Sequence, residues 1–208
     1  MRNPVRNVVF ITVVLVFGAV GLLTAQGAVE YMESAQQVEV HQTMMHTVDE
    51  GLLHMREEEK LARDVYLTLY DQWGFRVFAQ IARSEQRHME SIAALLAYRN
   101  LDDPAAEAQI GQFTNVSLQQ LYDDLIAQGS QGPIDALTVG AIVEDLDIYD
   151  LEMLLAQTDD PVITRVYTSL LRASEQHIRS FVRQLERLGA SYEPRYISAE
   201  KFDAIMSR

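Results

Sequence analysis

Residues 78–96 read FAQIARSEQRHMESIAALL. Laid out at about 100° per residue, Phe78, Ile81, Met89, Ile92 and Leu96 fall on one stripe, and Glu85 stands in its middle. His88 follows three residues later, ~4.5 Å further along the axis and near the same face. An isolated carboxylate on a buried stripe is costly unless a hydrogen bond, a counter-charge or a cation compensates it. A carboxylate and an imidazole at this spacing can grip one metal ion from a single helix.

Three further segments repeat the anomaly. The helix predicted over 135–157 carries Leu137, Ala141, Ile148, Leu151 and Leu155 on its stripe, with Glu144 at the centre and Asp147 one turn on. Over 161–188, Ile163, Val166, Leu170, Ala173, Phe181 and Leu188 enclose His177. Over 49–73, Leu52, Met55, Ala62, Tyr66, Leu69, Tyr70 and Trp73 enclose Glu59, with Glu58 at the edge and Glu57 beyond it. Arg63, Arg83, Arg87, Arg172 and Arg179 plot on other faces, so no base neutralises these acids. Divalent cations are the economical compensation, and Glu59, Glu85, His88, Glu144, Asp147 and His177 are the expected ligands, with no catalytic group apart from them. Hard oxygen donors with two imidazoles suit iron or manganese, with zinc a further occupant. The bland alternative is a metal-free helical adapter whose buried polar groups are protonated or watered.

The breaks between these segments set the connectivity. Helix one stops at Trp73-Gly74, helix two at Asn100 and Asp102-Asp103-Pro104, helix three at Asp159-Asp160-Pro161, and helix four at Gly189. Short turns join one to two and three to four, so each pair folds back on itself. A connection of roughly 35 residues between two and three, long enough to cross the molecule, contains its own helix, SLQQLYDDLIAQ, with Ser117 as N-cap and Gly129 as its end. The tail from Tyr192 to Ile197 reads as extended, and Ser198 caps a last short helix with Phe202 and Ile205 on its apolar side. Nothing alternates with period two for long. The class is all-α, with the connectivity of a four-helix bundle crossed between helices two and three.

Composition narrows the chemistry. The 208 residues contain no cysteine, which removes disulfides, thiolate metal sites and cysteine nucleophiles. Asp and Glu number 30 against 17 Lys and Arg, a net charge of −13, which argues against a nucleic-acid partner. There is no glycine-rich phosphate loop, no Gly-x-Ser-x-Gly and no His-Glu-x-x-His. His41, His46 and His54 form no tight ligand spacing and read as solvated, and Glu57-Glu58 and Asp123-Asp124 read as exposed acidic faces. Tyr66, Tyr70 and Tyr149 stand near the ligand positions, as core tyrosines or as hydrogen-bonders to the ligands.

At the front, Arg2 and Arg6 precede the uncharged run from Val8 to Ala25. That is the pattern of an export signal or a membrane anchor. The expected organisation is 1–28 as signal or anchor, 29–48 as stalk and 49–208 as the working domain. The location is then extracytoplasmic, secreted or periplasmic, with membrane contact through the N-terminal segment if it is retained.

Glu59-Lys-Leu-Ala62-Arg-Asp-Val-Tyr66 resembles the Glu-x-x-Ala-x-x-x-Tyr of first helices in rubrerythrin-type ferritin-like proteins, and Ser84-Glu85-Gln86-Arg87-His88 resembles their Glu-x-x-His second helix. From Met55 through Tyr196 the chain is similar to a ferritin-like domain family of unassigned function. The resemblance implies a ferritin-like four-helix bundle with two iron ions, in which Glu59, Glu85 and His88 make the first half-site and Glu144 and His177 match the second. It implies ferrous-iron oxidation, or reduction of dioxygen or peroxide, and is compatible with a homodimer. One position departs from the pattern. Three residues before His177 stands Ser174 rather than Glu, and Glu175 plots toward solvent, so Asp147 is expected to supply the missing oxygen. The alternative function is a non-catalytic metal-binding or sensing helical module at a membrane surface.

Overall fold

A computed structural model describes residues 47–208, which form six helices and, among the described residues, no strand. They are α1 (Val48–Trp73), α2 (Arg76–Arg99), α3 (Val116–Gly129), α4 (Pro133–Gln157), α5 (Pro161–Arg187) and α6 (Ala199–Met206). None of the described helices is long and apolar enough to cross a membrane. The expected signal or anchor over 1–28 and nearly all of the expected stalk lie outside the described residues, as do His41 and His46.

The boundaries follow from local chemistry. Thr47 accepts a hydrogen bond from the Glu50 amide and donates to the Glu50 carboxylate, a side-chain cap at the start of α1. Asp160 caps α5 ahead of Pro161, and Ser198 caps α6 as its sequence suggests. The first and fourth expected helices end at glycines with φ of 69° (Gly74) and 76° (Gly189), the left-handed region that closes a helix most cheaply without a side chain. Asn100 closes α2 the same way, at φ 56°. In the connection, Asn115 caps α3 through its side chain, two residues before the expected Ser117. The asparagine wins because its carbonyl oxygen reaches both the Ser117 and Leu118 amides.

Helix α1 packs against α2, and α4 against α5; α1 also packs on α4, α2 on α5, and α3 on α1 and α4. The interior contains two apolar clusters. One centres on Tyr66, Phe78 and Phe181, whose rings lie 5.2–5.9 Å apart. The other gathers Leu52, Met55, Ile92, Leu151, Ile163 and Tyr167. Each buried side chain of this size contributes about 1.5–3 kcal/mol. Along α1, α2 and α5 the stripe-centred polar residues fall between members of the two clusters: Glu59 between Met55 and Ala62, Glu85 between Ala82 and Ile92, His177 between Leu170 and Phe181. A charged layer thus separates two oily ones. Gly140 lets α4 approach α5, since a Cβ there would meet the Phe181 ring at 2.4 Å.

The expected one-sided α1 is wrong. Every residue from His54 to Ala62 is buried, including Glu57 and Glu58, which the sequence places on an exposed face. Glu57 accepts from the Thr114 amide and hydroxyl and from the Asn115 amide, at 2.5, 2.8 and 3.0 Å, and so fastens the start of α3. Lys60 is fully buried and pairs with Asp64 at 2.5 Å, away from the stripe-centred acids. Asp145 does for the tail what Glu57 does for α3, accepting from the Tyr192 hydroxyl and the amides of Arg195, Tyr196 and Ile197. For Glu57 the solvent-facing reading fails because a distant loop supplies backbone donors that a carboxylate satisfies densely.

Candidate metal centre

Four helices each bring a ligand-type side chain to the charged layer. Glu59 (α1), Glu85 and His88 (α2) form one triad whose donor atoms all lie within 4.8 Å of one another; Glu85, Glu144 (α4) and His177 (α5) form a second. Glu85 belongs to both. Its Oε2 lies 2.6 Å from His88 Nδ1 and its Oε1 lies 2.9 Å from His177 Nδ1, so one oxygen faces each triad. Glu59 Oε2 stands 3.2 Å from His88 Nδ1, and Glu144 Oε2 stands 3.4 Å from His177 Nδ1. The two imidazoles stack, with ring centroids 5.8 Å apart and planes 24° apart. Tyr66 donates to Glu144 Oε1 at 2.6 Å, which orients that carboxylate from the Phe78–Phe181 side.

The structure therefore brings five of the six expected ligands into two linked triads. Asp147 stands outside both: it is buried, and one of its oxygens accepts from Ser174, the residue that replaces the expected glutamate of α5. Its other oxygen, Oδ1, has no hydrogen-bond partner among the described residues, and neither has Glu59 Oε1. Buried, unpartnered carboxylate oxygens mixed with imidazole nitrogens are a donor set that fits divalent cations. Glu175 does not point to solvent as expected. It is buried and pairs with Arg208 at 2.7 Å and Lys201 at 3.3 Å, tying α5 to the C-terminal helix.

Electrostatics show how the layer is held together by protons. Burial disfavours the His88 imidazolium, but Glu59 and Glu85 outweigh it and raise the group to about 11. Burial likewise opposes the His177 imidazolium, and Glu144 and Glu85 raise it to about 10. Burial pushes Glu85 upward, yet hydrogen bonds from His177 and His88 hold it at about 2. Burial dominates at Glu59, which rises to about 8, and raises Glu144 and Asp147 as well. The two imidazolium protons thus lie within the two triads, and a cation that bound through these nitrogens would have to displace them.

A third triad escaped the sequence. His54 lies 3.3 Å from Glu58 and 3.5 Å from Asp150, all three buried, although His54 was expected solvated and Glu58 exposed. The signal was present as the i, i+4 spacing of His54 and Glu58, but their stripe looked like an edge. Tyr70, placed on the ligand stripe by periodicity, is 37% exposed near the C-terminus of α1 and belongs to no triad. Tyr149 is half-buried and packs against the Phe78 cluster.

Access to the layer runs along the seam between α2 and α5. One cleft of about 530 Å3 reaches His177, and another of about 450 Å3 reaches His88.

Comparison with known proteins gives the family. The chain is 49% identical over 158 residues to the uncharacterized protein MJ0754 of Methanocaldococcus jannaschii, a match covering 76% of this chain and 85% of that one. It is also similar to a solved structure described as the crystal structure of hypothetical protein MJ0754 from Methanococcus jannaschii, with a TM-score of 0.76 at 48% identity over 77% of this chain and 91% of the other. Residues 49–208 match the profile described as an uncharacterized protein domain, DUF2202, and the chain belongs to that family.

Proposed function

We propose that the described domain is a ferritin-like four-helix bundle, formed by α1, α2, α4 and α5, that holds two metal ions, with iron as the occupant. The observation that carries this reading is the sharing of Glu85, one oxygen to each of two carboxylate–histidine triads. Glu59 and His88 would complete one site and Glu144 and His177 the other, while Asp147 stays buried outside both triads with one oxygen unpartnered among the described residues. A pair of iron ions supplies two one-electron oxidations, the stoichiometry that takes hydrogen peroxide and two protons to two waters.

The chain's own contribution is to position and to exclude. The two apolar clusters on either side of the layer keep bulk water from all but the α2–α5 seam. Tyr66 fixes one oxygen of Glu144 and leaves the other for His177 or a cation. The imidazolium protons, held in place by Glu85, give the metal-free protein a neutralised core and leave as cations enter. The Arg2 and Arg6 start with the apolar run from Val8 to Ala25 supports export or anchoring of this domain outside the cytoplasm.

Anaerobic addition of Fe(II), followed by oxygen or peroxide, tests the activity. Stoichiometric oxidation that is lost in Glu85→Ala supports it, and equal rates in both proteins overturn it. One observation favours a second reading, a binding or sensing module without turnover: Ser174 stands where the symmetric pattern has a carboxylate, and it ties up one oxygen of Asp147. Tight zinc or manganese binding with no oxidation of Fe(II) selects that reading.

A further inference from the structure

The cleft that reaches His177 has a lining at odds with the rest of the protein. Four of its twelve residues are arginines (Arg76, Arg87, Arg183 and Arg187), and none is acidic, in a chain whose net charge is −13. The guanidinium groups of Arg76, Arg183 and Arg187 make no hydrogen bond or ion pair among the described residues. Arg87 donates only to the Arg83 carbonyl and the Ser84 hydroxyl, 2.9 and 3.3 Å away. Unpaired arginines clustered on one concave face, where carboxylates are plentiful elsewhere, raise the local potential unless an anion neutralises it. The first turn of α2 lines the same cleft. Its N-cap, Phe75, provides no side-chain hydrogen bond and no acid stands in that turn, so its amide dipoles add to the positive field. The neighbouring cleft at His88 shares Ser84 and Arg87 and is also free of acidic side chains.

We infer that this cleft is a binding groove for a compact oxoanion of two or more negative charges, entering between α2 and α5 with its inner end at the His177 imidazole. Guanidinium forks and free amides recognise phosphate and carboxylate oxygens alike, so the shared chemistry is a multiply charged oxoanion, phosphate-bearing or polycarboxylate. About 530 Å3 suits a small molecule. The groove requires no metal. What the anion does at His177 rests on the proposed dinuclear centre, whose substrate or electron donor would then be anionic.

The test uses the full chain in metal-free form, so that neither probe can act by chelating a bound ion. Inorganic pyrophosphate and citrate are titrated separately by calorimetry, and the His177 ring signals are followed by NMR. Saturable binding of at least one probe is expected, weakened by added salt, with movement of the His177 signals. Pyrophosphate alone, or citrate alone, identifies the source of the oxoanion. The double variant Arg183→Ser with Arg187→Ser, both exposed positions, should bind about tenfold more weakly or worse, whereas Arg172→Ser on the same helix outside the groove should bind as before. Failure of both probes to bind overturns the groove. So does equal weakening by the double variant and Arg172→Ser, which reduces the effect to net charge. Binding that leaves His177 unmoved overturns the placement. Because no metal is present, each of these failures is distinct from failure of the dinuclear reading.

Discussion

Glu85→Gln is the substitution that most directly interrogates the shared carboxylate. The change is nearly isosteric but removes the charge that both imidazoliums share, at 2.6 Å from His88 and 2.9 Å from His177. In the metal-free protein, one-sided removal from a buried ion pair costs about 3–5 kcal/mol. Part of that is relieved because an imidazolium can shed its proton, so a loss near the lower bound is expected at pH 7, together with titration of one imidazole back toward its ordinary value. On metal the consequence is a pattern. Glu59 serves only the first triad and Glu144 only the second, so Glu59→Gln or Glu144→Gln should leave one ion bound. Glu85→Gln should weaken both, each by about 100-fold or more, since even an outer partner of a ligand is worth about 10–100-fold. Calorimetric titration with Mn(II), alongside urea denaturation in chelator, measures both quantities. A Glu85→Gln protein that still takes two ions with unchanged affinity, or that loses only one, refutes the argument that the two triads are joined through this residue.

Stability of the metal-free protein should depend on pH with a definite sign. His88 and His177 are raised from 6.5 to about 11 and about 10, so their stabilisation is complete below about pH 6.5 and is lost as pH rises through those values. Glu59, raised from 4.5 to about 8, takes stability away over that interval as pH rises, while Glu85, held at about 2, keeps its full contribution above about 4.5 and loses it as pH falls from there through 2. Thermal melts in chelator should therefore fall steadily from pH 5 to 10, and a flat or rising profile contradicts the assignment. Asp147→Asn should flatten the part of that slope due to Asp147, whose raised group favours the protonated form, and should leave the protein at least as stable at pH 8; an unchanged slope argues against it. Glu57→Ala strands the Thr114 and Asn115 amides and should cost about 1–3 kcal/mol by urea denaturation, with faster hydrogen exchange at the start of α3. Gly140→Ala drives a methyl into the Phe181 ring and should destabilise by about 1–3 kcal/mol despite its better helix propensity; a gain would show that α4 and α5 separate easily.

Much of this was written in the residues. The polar intruders on α2, α4 and α5 stood out because each sits alone on an otherwise apolar stripe, and glycine, proline and asparagine breaks placed the helix ends within one or two residues. What periodicity could not reveal depends on partners far along the chain. Glu57 looks exposed until Thr114 and Asn115 arrive, Asp145 is unremarkable until the tail wraps onto it, and Glu175 plots outward until α6 brings Arg208. His54 fails for a related reason. Its role needs Asp150, and a single-helix projection shows only one side of a three-sided environment. Asp147 shows the converse limit: its stripe position was right, but a serine on the facing helix claims one of its oxygens.

The nine consecutive interior positions from His54 to Ala62 have a meaning for how this protein can vary. A helix on the rim of a fold forgives change at every third or fourth step, where its side chains meet water. This stretch of α1 offers no such outward direction, since Glu57 looks to the loop before α3, Glu58 to His54 and Glu59 to His88. Saturation mutagenesis should there trace an unbroken band of intolerance instead of the rhythmic one seen on amphipathic helices, and drift among relatives should be pushed toward the far end of the helix, beyond Leu69.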